Sequence, residues 1–162
     1  MTNESETLGD TVALKDLCGL HELSGRGEMV LKSAETSDDD AFVVVLRLDD
    51  TLYWFQEDPS DGYRSFLGVV KKLRGWPQGM PPSAFIAFAP VLITLRIRTE
   101  PEPHRLGSSQ HDEVLYGLDE RTGLVLFEVG TEDTDDWYPS FVHRWHPEGV
   151  EPKWLAGRSW GH

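Results

Sequence analysis

"AFVVVLRLDDTLYWFQE" (Ala41 to Glu57) decides the fold class, because it joins two runs of strand-forming residues through a pair of turn formers. Val43, Val44 and Val45 are β-branched and Tyr53, Trp54 and Phe55 are aromatic, the residue types that suit a pleated, half-buried surface. Asp49 and Asp50 between them read as the short link of a β-hairpin. The sheet it starts is therefore antiparallel at this point.

Two further stretches extend that sheet. In "APVLITLRIRT" (Ala89 to Thr99), Val91, Ile93, Leu95 and Ile97 point one way while Leu92, Thr94, Arg96 and Arg98 point the other, a strand with one wetter face. "DEVLYGLDERTGLVLFEVGT" (Asp112 to Thr131) reads as strand, turn at Asp119 to Gly123, and strand, with Val125, Phe127 and Val129 on one side.

Between the first hairpin and Ala89 the pattern changes. Phe66, Val69, Val70 and Leu73 fall on one face at helical spacing, with Asp58 or Asp61 as a cap and Lys71, Lys72 and Arg74 near the favourable C-terminal end. The spacing predicts a short helix there. "GWPQGMPPS" (Gly75 to Ser83) and "EPEPHRLGSSQH" (Glu100 to His111) carry too much Gly, Pro and Ser for regular structure and read as loops. "VALKDLCGLHELSG" (Val12 to Gly25) fits a short helix or a strand equally, and the stretch from Glu132 has no clean period. The expectation is an α+β fold: an antiparallel β-sheet of about five or six strands built from hairpins, with one or two short helices and long loops. Residues 1–10 read as a flexible acidic lead and residues 11–162 as a single globular domain.

Composition narrows the function classes. The chain has 28 acidic and 15 basic residues and a formal charge of -13, distributed as -7 over residues 1–40, +2 over 41–99 and -8 over 100–162. Such a field repels phosphate, so nucleic acid and anionic membranes are disfavoured as ligands, and it steers cationic partners inward. Cys18 stands alone, which excludes an intrachain disulfide and a Cys-based zinc cluster; its burial is expected rather than its reactivity. No signal-peptide pattern and no apolar run of spanning length is present, so a cytoplasmic protein is expected.

Catalytic motifs are missing. Neither GxSxG, GxGxxG nor GxxxxGK[ST] occurs, and "LSGRGEM" (Leu23 to Met29) is too short of glycines to cradle a phosphate. His143 and His146 are three apart, which on a helix puts both on one face beside Asp133, Asp135 and Asp136, but no zinc motif surrounds them. Hard cations prefer oxygen-rich turns, and "EDPSDGYRS" with Asp58 and Asp61, brought against "GTEDTDDWYPS" with Asp135, Asp136 and a nearby His143, offers the alternative of a divalent-cation or small-ligand site. No cofactor is otherwise expected. Turn capping and pairing with Arg64 account for the same carboxylates without any ion.

Aromatic content points to recognition. Trp54, Trp76, Trp137, Tyr138, Trp145, Trp154 and Trp160 are many for this length, and loop aromatics often anchor interfaces. Trp76, between Gly75 and Pro77, is the best candidate for exposure. Glu132, Asp133, Asp135 and Asp136 set four carboxylates within five residues before the run containing Trp145. With Trp76 they form the candidate surface for a protein partner carrying a basic face.

Leu17, Gly19, His21, Leu23, Ser24 and Gly25, then Asp61 to Ser65, then Gly130, Thr131, Asp135 and Tyr138 to Val142 form a pattern that resembles a group of small proteins encoded by bacteriophages and prophages. It brings no activity, cofactor or catalytic residue with it. What it implies is an accessory or host-directed role, including inhibition of a host defence or nucleic-acid-binding protein. A virion-associated structural role is the further alternative.

Overall fold

A computed structural model describes residues 7–32, 40–59, 64–98, 112–133 and 139–152. Among the described residues nine strands follow in chain order: β1 (Leu8–Thr11), β2 (Gly19–Lys32), β3 (Asp40–Leu48), β4 (Thr51–Pro59), β5 (Ser65–Leu73), β6 (Phe85–Arg98), β7 (Glu113–Asp119), β8 (Val125–Asp133) and β9 (Pro139–Val150). They form one antiparallel sheet in the order β1-β5-β4-β3-β2-β6-β7-β8-β9. Two meanders, β2 to β5 and β6 to β9, are thus stitched together by the β2–β6 pairing.

The sheet wraps around one core. Leu23, Val44, Leu46, Leu48, Phe55, Val70, Ile93, Leu95, Leu115, Phe127, Val129 and Phe141 draw on every strand from β2 to β9 yet belong to one buried cluster. A flat sheet cannot bring its two ends to the same cluster, so the sheet curls until its ends meet. Among the described residues β5 and β9 share no backbone ladder. Instead the Leu67 N–H donates to Thr131 Oγ1 at 2.8 Å and the Phe141 N–H donates to Ser65 Oγ at 2.9 Å, so two hydroxyls bridge the seam. Leu14 and Leu17 on a 3₁₀ turn, Leu14–Leu17, are buried against the same core.

β3 explains its own sequence. Val44, Leu46 and Leu48 enter the main core, while Val43 and Val45 face a second cluster on the outer side with Trp54, Leu73 and Met80. A strand buried on both faces reads as a continuous apolar run. The outer cover is the connection from β5 to β6, which passes over β2 to β4: Met80 packs on Val43 and Val45, and Trp76 sets its ring edge-on to Phe85 at 5.4 Å. Gly25 and Gly27 leave space for the Phe85 ring, which a Cβ at either position would meet at 2.5 and 2.9 Å. A cavity of about 300 Å³ remains beside this cover, lined by Leu8, Leu31, Trp54 and Pro77 to Gly79.

The expected α+β fold with five or six strands is therefore corrected to an all-β, nine-stranded arrangement. Among the described residues the helical content is two 3₁₀ turns, Leu14–Leu17 and Pro82–Ala84. The helix expected around Phe66 to Leu73 is strand β5. Its register shifts between Gln56 and Glu57, so that Gln56 pairs with Val69 and Glu57 with Leu67, leaving Gly68 as an extra residue. That β-bulge sets Phe66, opposite Asp58, and Val69, opposite Gln56, on one face three apart, and a spacing of three imitates a helix. The stretch without a clean period also contains a strand, β9. Leu8 to Asp10, read as part of a flexible lead, pair with β5 as β1, and the loop Glu100 to His111 lies outside the described residues.

The first hairpin forms as its residues require. Asp49 and Asp50 have φ of 51° and 66°, the signs of a type I′ turn, which aspartate tolerates better than most non-glycine residues. Asp49 is held further: its Oδ1 accepts the Glu22 N–H at 2.9 Å and its Oδ2 meets His21 Nδ1 at 2.5 Å. The Glu22 N–H lowers the Asp49 pKa most; desolvation opposes it, and the His21 contact adds a smaller lowering.

Candidate functional site

β9 is the element that sorts the functional candidates. Phe141, His143 and Trp145 alternate toward the concave face, whereas Arg144 and His146 face outward, so the two histidines three apart are on opposite sides of the sheet. On a helix they would have been neighbours. Among the described residues no group of three or more His, Cys, Asp and Glu side chains is placed to hold a metal ion.

On the concave face, four strands converge. Arg26 and Glu28 of β2 form a 2.8 Å ion pair, and the Arg26 guanidinium lies 4.9 Å from the Trp145 ring centroid. Trp145 in turn packs on Phe88 of β6 at 5.6 Å. His143 stands between Phe42 at 5.1 Å and Phe141 at 5.6 Å, with its Nδ1 3.8 Å from the Glu28 carboxylate, beyond hydrogen-bond length. Arg26 Nε and His143 Nδ1 are both buried without a hydrogen-bond partner. Register extends the site: Val30 lies opposite Phe42, and Ile86 lies opposite Arg26, all on the same face.

The outward side of β6 to β9 holds an ion-pair network. Arg98 contacts Asp112, Glu132 at 2.8 Å and Glu128 at 3.8 Å; Arg144 contacts Glu132 at 2.6 Å and Glu128 at 3.4 Å; His146 Nε2 meets Glu128 at 2.8 Å. Asp112, Glu128 and Glu132 are buried. A cavity of about 120 Å³ adjoins it, lined by Tyr116, Val125, Val150 and Glu151 together with members of the network. Buried carboxylates need such partners, and removing one leaves an uncompensated charge, so the network ties β6, β8 and β9 to one another and to Asp112 just ahead of β7.

A third feature lies on the convex side of β2 and β6. Leu20 and Leu92 are 58% and 46% exposed and sit diagonally across the pairing, Leu20 opposite Thr94 and Glu22 opposite Leu92. Acids surround them. The Glu120 N–H donates to the Leu92 carbonyl and the Thr94 hydroxyl bonds the Glu120 carboxylate, while Asp49 is joined to Glu22. Arg96 follows Thr94 along the same face.

The sequence candidates divide accordingly. Trp76 is exposed, with its Nε1 donating to the Met80 carbonyl at 2.9 Å. Glu132 is held in the ion-pair network, and Trp145 is half-buried on the concave face. Asp133 ends β8 opposite Pro139, and Asp58 is exposed on β4. Asp61, Asp135 and Asp136 lie outside the described residues; the Phe141 N–H donates to Ser65 Oγ between strands that flank them in sequence. Cys18 is exposed rather than buried; its thiol points to the Leu14 carbonyl at 3.9 Å, and desolvation raises its pKa, which disfavours the thiolate.

Arg26 and Glu28 lie within "LSGRGEM", a stretch whose glycines suggest only a phosphate loop. Their spacing of two is the signal that finds them, since on a strand it puts both on one face. None of the described helices is long and apolar enough to cross a membrane. No family model matches the sequence, and the searches of curated proteins and of solved structures return no match either.

Proposed function

We propose that the protein is a non-enzymatic binding protein that engages a protein partner with a basic surface through the Leu20–Leu92 patch. The observation that carries this reading is the pair of exposed leucines ringed by Glu22, Asp49 and Glu120 on a chain of net charge -13. Apolar residues at the centre supply the contact area, and the acidic rim steers a cationic surface and fixes its register. A nucleic-acid-binding face is the kind of basic, partly apolar surface that fits. Occlusion of that face would make the protein an inhibitor, in keeping with the host-directed role that the resemblance to phage-encoded proteins implies.

The test uses the purified full chain as bait in nuclease-treated bacterial lysate at low and high salt, with Leu92→Asp and Glu120→Lys variants in parallel. A stoichiometric partner that is lost at high salt and in both variants supports the proposal. A partner retained by both variants refutes this patch, and a dimer of the chain that Leu92→Asp dissociates reassigns the patch to self-association.

A further inference from the structure

We propose that the open end of the concave face is a binding site for a flat, uncharged, apolar molecule that carries a hydrogen-bond acceptor, of the class of an aromatic ketone or amide. The site is separate from the Leu20–Leu92 patch, which lies on the other face of the sheet, so either proposal can fail alone.

Space and apolarity come first. The concave face is core along most of its length, yet Val30, Phe42 and Ile86 on that same face are 50%, 41% and 52% exposed. Side chains that face inward and still meet water line an opening. Leaving them wet forfeits about 25 cal/mol for each Å² of apolar surface, a gain open to any apolar occupant. Pockets that combine such walls with a few convergent polar groups, in the mouths of curled sheets, are the usual setting for small ligands.

The polar groups set the ligand's chemistry. Arg26 Nε is only a donor and has no acceptor, and His143 Nδ1, 3.8 Å from Glu28, makes no hydrogen bond. Buried polar atoms left unpaired are exceptions that call for a missing partner. A ligand carbonyl would supply the acceptor that Arg26 lacks. Glu28, the most exposed of the three polar side chains at 42%, engages Arg26 Nη1 and leaves Nε to the ligand.

Charge and shape narrow the class further. Arg26 and Glu28 cancel within the site, the field of the -13 chain opposes an anion, and Arg26 opposes a cation at the point of contact. An uncharged ligand meets neither obstacle. Planar groups gather there: Trp145 touches Phe88 and the guanidinium of Arg26, and His143 touches Phe42 and Phe141. A flat molecule gains stacking contact on such surfaces.

The probe is Nile red, which is uncharged, flat and carries a carbonyl, titrated into the full chain and read by its blue-shifted emission. Saturable binding at one site is expected, with Kd raised on the order of tenfold or more in Phe42→Asp and in Arg26→Met, and unchanged in Leu20→Asp. Phe42 is exposed, so its replacement tests the rim without emptying the core. Absence of saturable binding up to about 100 μM dye overturns the proposal. Equal affinity in Phe42→Asp, or loss in Leu20→Asp, overturns it as well by placing the dye elsewhere.

Discussion

Replacing Thr131 by Val and Ser65 by Ala tests the closure of the sheet. Both hydroxyls accept a backbone N–H across the β5 seam, from Leu67 at 2.8 Å and from Phe141 at 2.9 Å. Val keeps the volume of Thr but offers no acceptor, so each substitution strands a partly buried amide. An unsatisfied buried donor costs about 1–3 kcal/mol, and partial access to water places these in the lower half, about 1–1.5 kcal/mol each. Thr131 is register-paired with Phe141, so the two bonds close one gap and are not independent. The double variant should therefore lose less than the sum, about 1.5–2.5 kcal/mol. Urea denaturation of the two single variants and the double gives these values as shifts in midpoint at constant slope. Native-state hydrogen exchange localises them, because the Leu67 and Phe141 amides should lose protection before their neighbours. Single variants each within about 0.3 kcal/mol of wild type, with both amides exchanging as before, would refute the idea that hydroxyls hold the seam.

Other perturbations follow from the same geometry. At Gly130, φ is +155° and a Cβ would stand 2.2 Å from the Glu113 carbonyl oxygen and 2.7 Å from Val114 Cα, so Gly130→Ala should cost more than about 3 kcal/mol in urea melts. Gly75→Ala, with nothing within 4 Å of its Cβ, should stay within about 0.5 kcal/mol and serves as the control. Glu132→Gln leaves Arg98 and Arg144 short of a buried counter-charge and should destabilise by about 3 kcal/mol, read as a lowered thermal midpoint. The Asp49 carboxyl has a folded pKa below its unfolded value, so its contribution is full above the unfolded value, near 4, and fades as pH falls through the folded one. Because that carboxylate is exposed, the effect is modest; Asp49→Asn should flatten the fall in stability below about pH 4.

Legibility in the sequence tracked how simply each strand meets its surroundings. The β3–β4 hairpin and the alternation Val91, Ile93, Leu95, Ile97 were legible because one type of face repeats without interruption, and those four residues do pack on the core. β5 was hidden by one extra residue at Gly68, which turned a period of two into an apparent period of three. β9 was hidden by its own balance: Phe141 and Trp145 on one face, Arg144 and His146 on the other, with the charged face buried in ion pairs rather than wet. β2 was obscured by Gly25 and Gly27, which weaken a strand pattern but make room for the Phe85 ring. Glu132, Trp145 and His143 were singled out by local composition, whereas their partners Arg98, Arg144, Arg26 and Glu28 come from other strands and depend on register. A linear reading does not contain that register.

The strand order also shapes how the chain reaches its native state. Every pairing inside β2 to β5 and inside β6 to β9 joins sequence neighbours, so each meander closes over short loops or modest separations, while the β2–β6 pairing brings together strands far apart in sequence. Contacts of high sequence separation set the folding rate of β proteins, since loop entropy is lost before such contacts reward it. The β2–β6 junction, like the β1–β5 pairing and the seam between β5 and β9, should therefore form after the local hairpins. Conservative truncations there, such as Ile93→Val, should lower the refolding rate, while Val129→Ala inside the second meander should act mainly on unfolding.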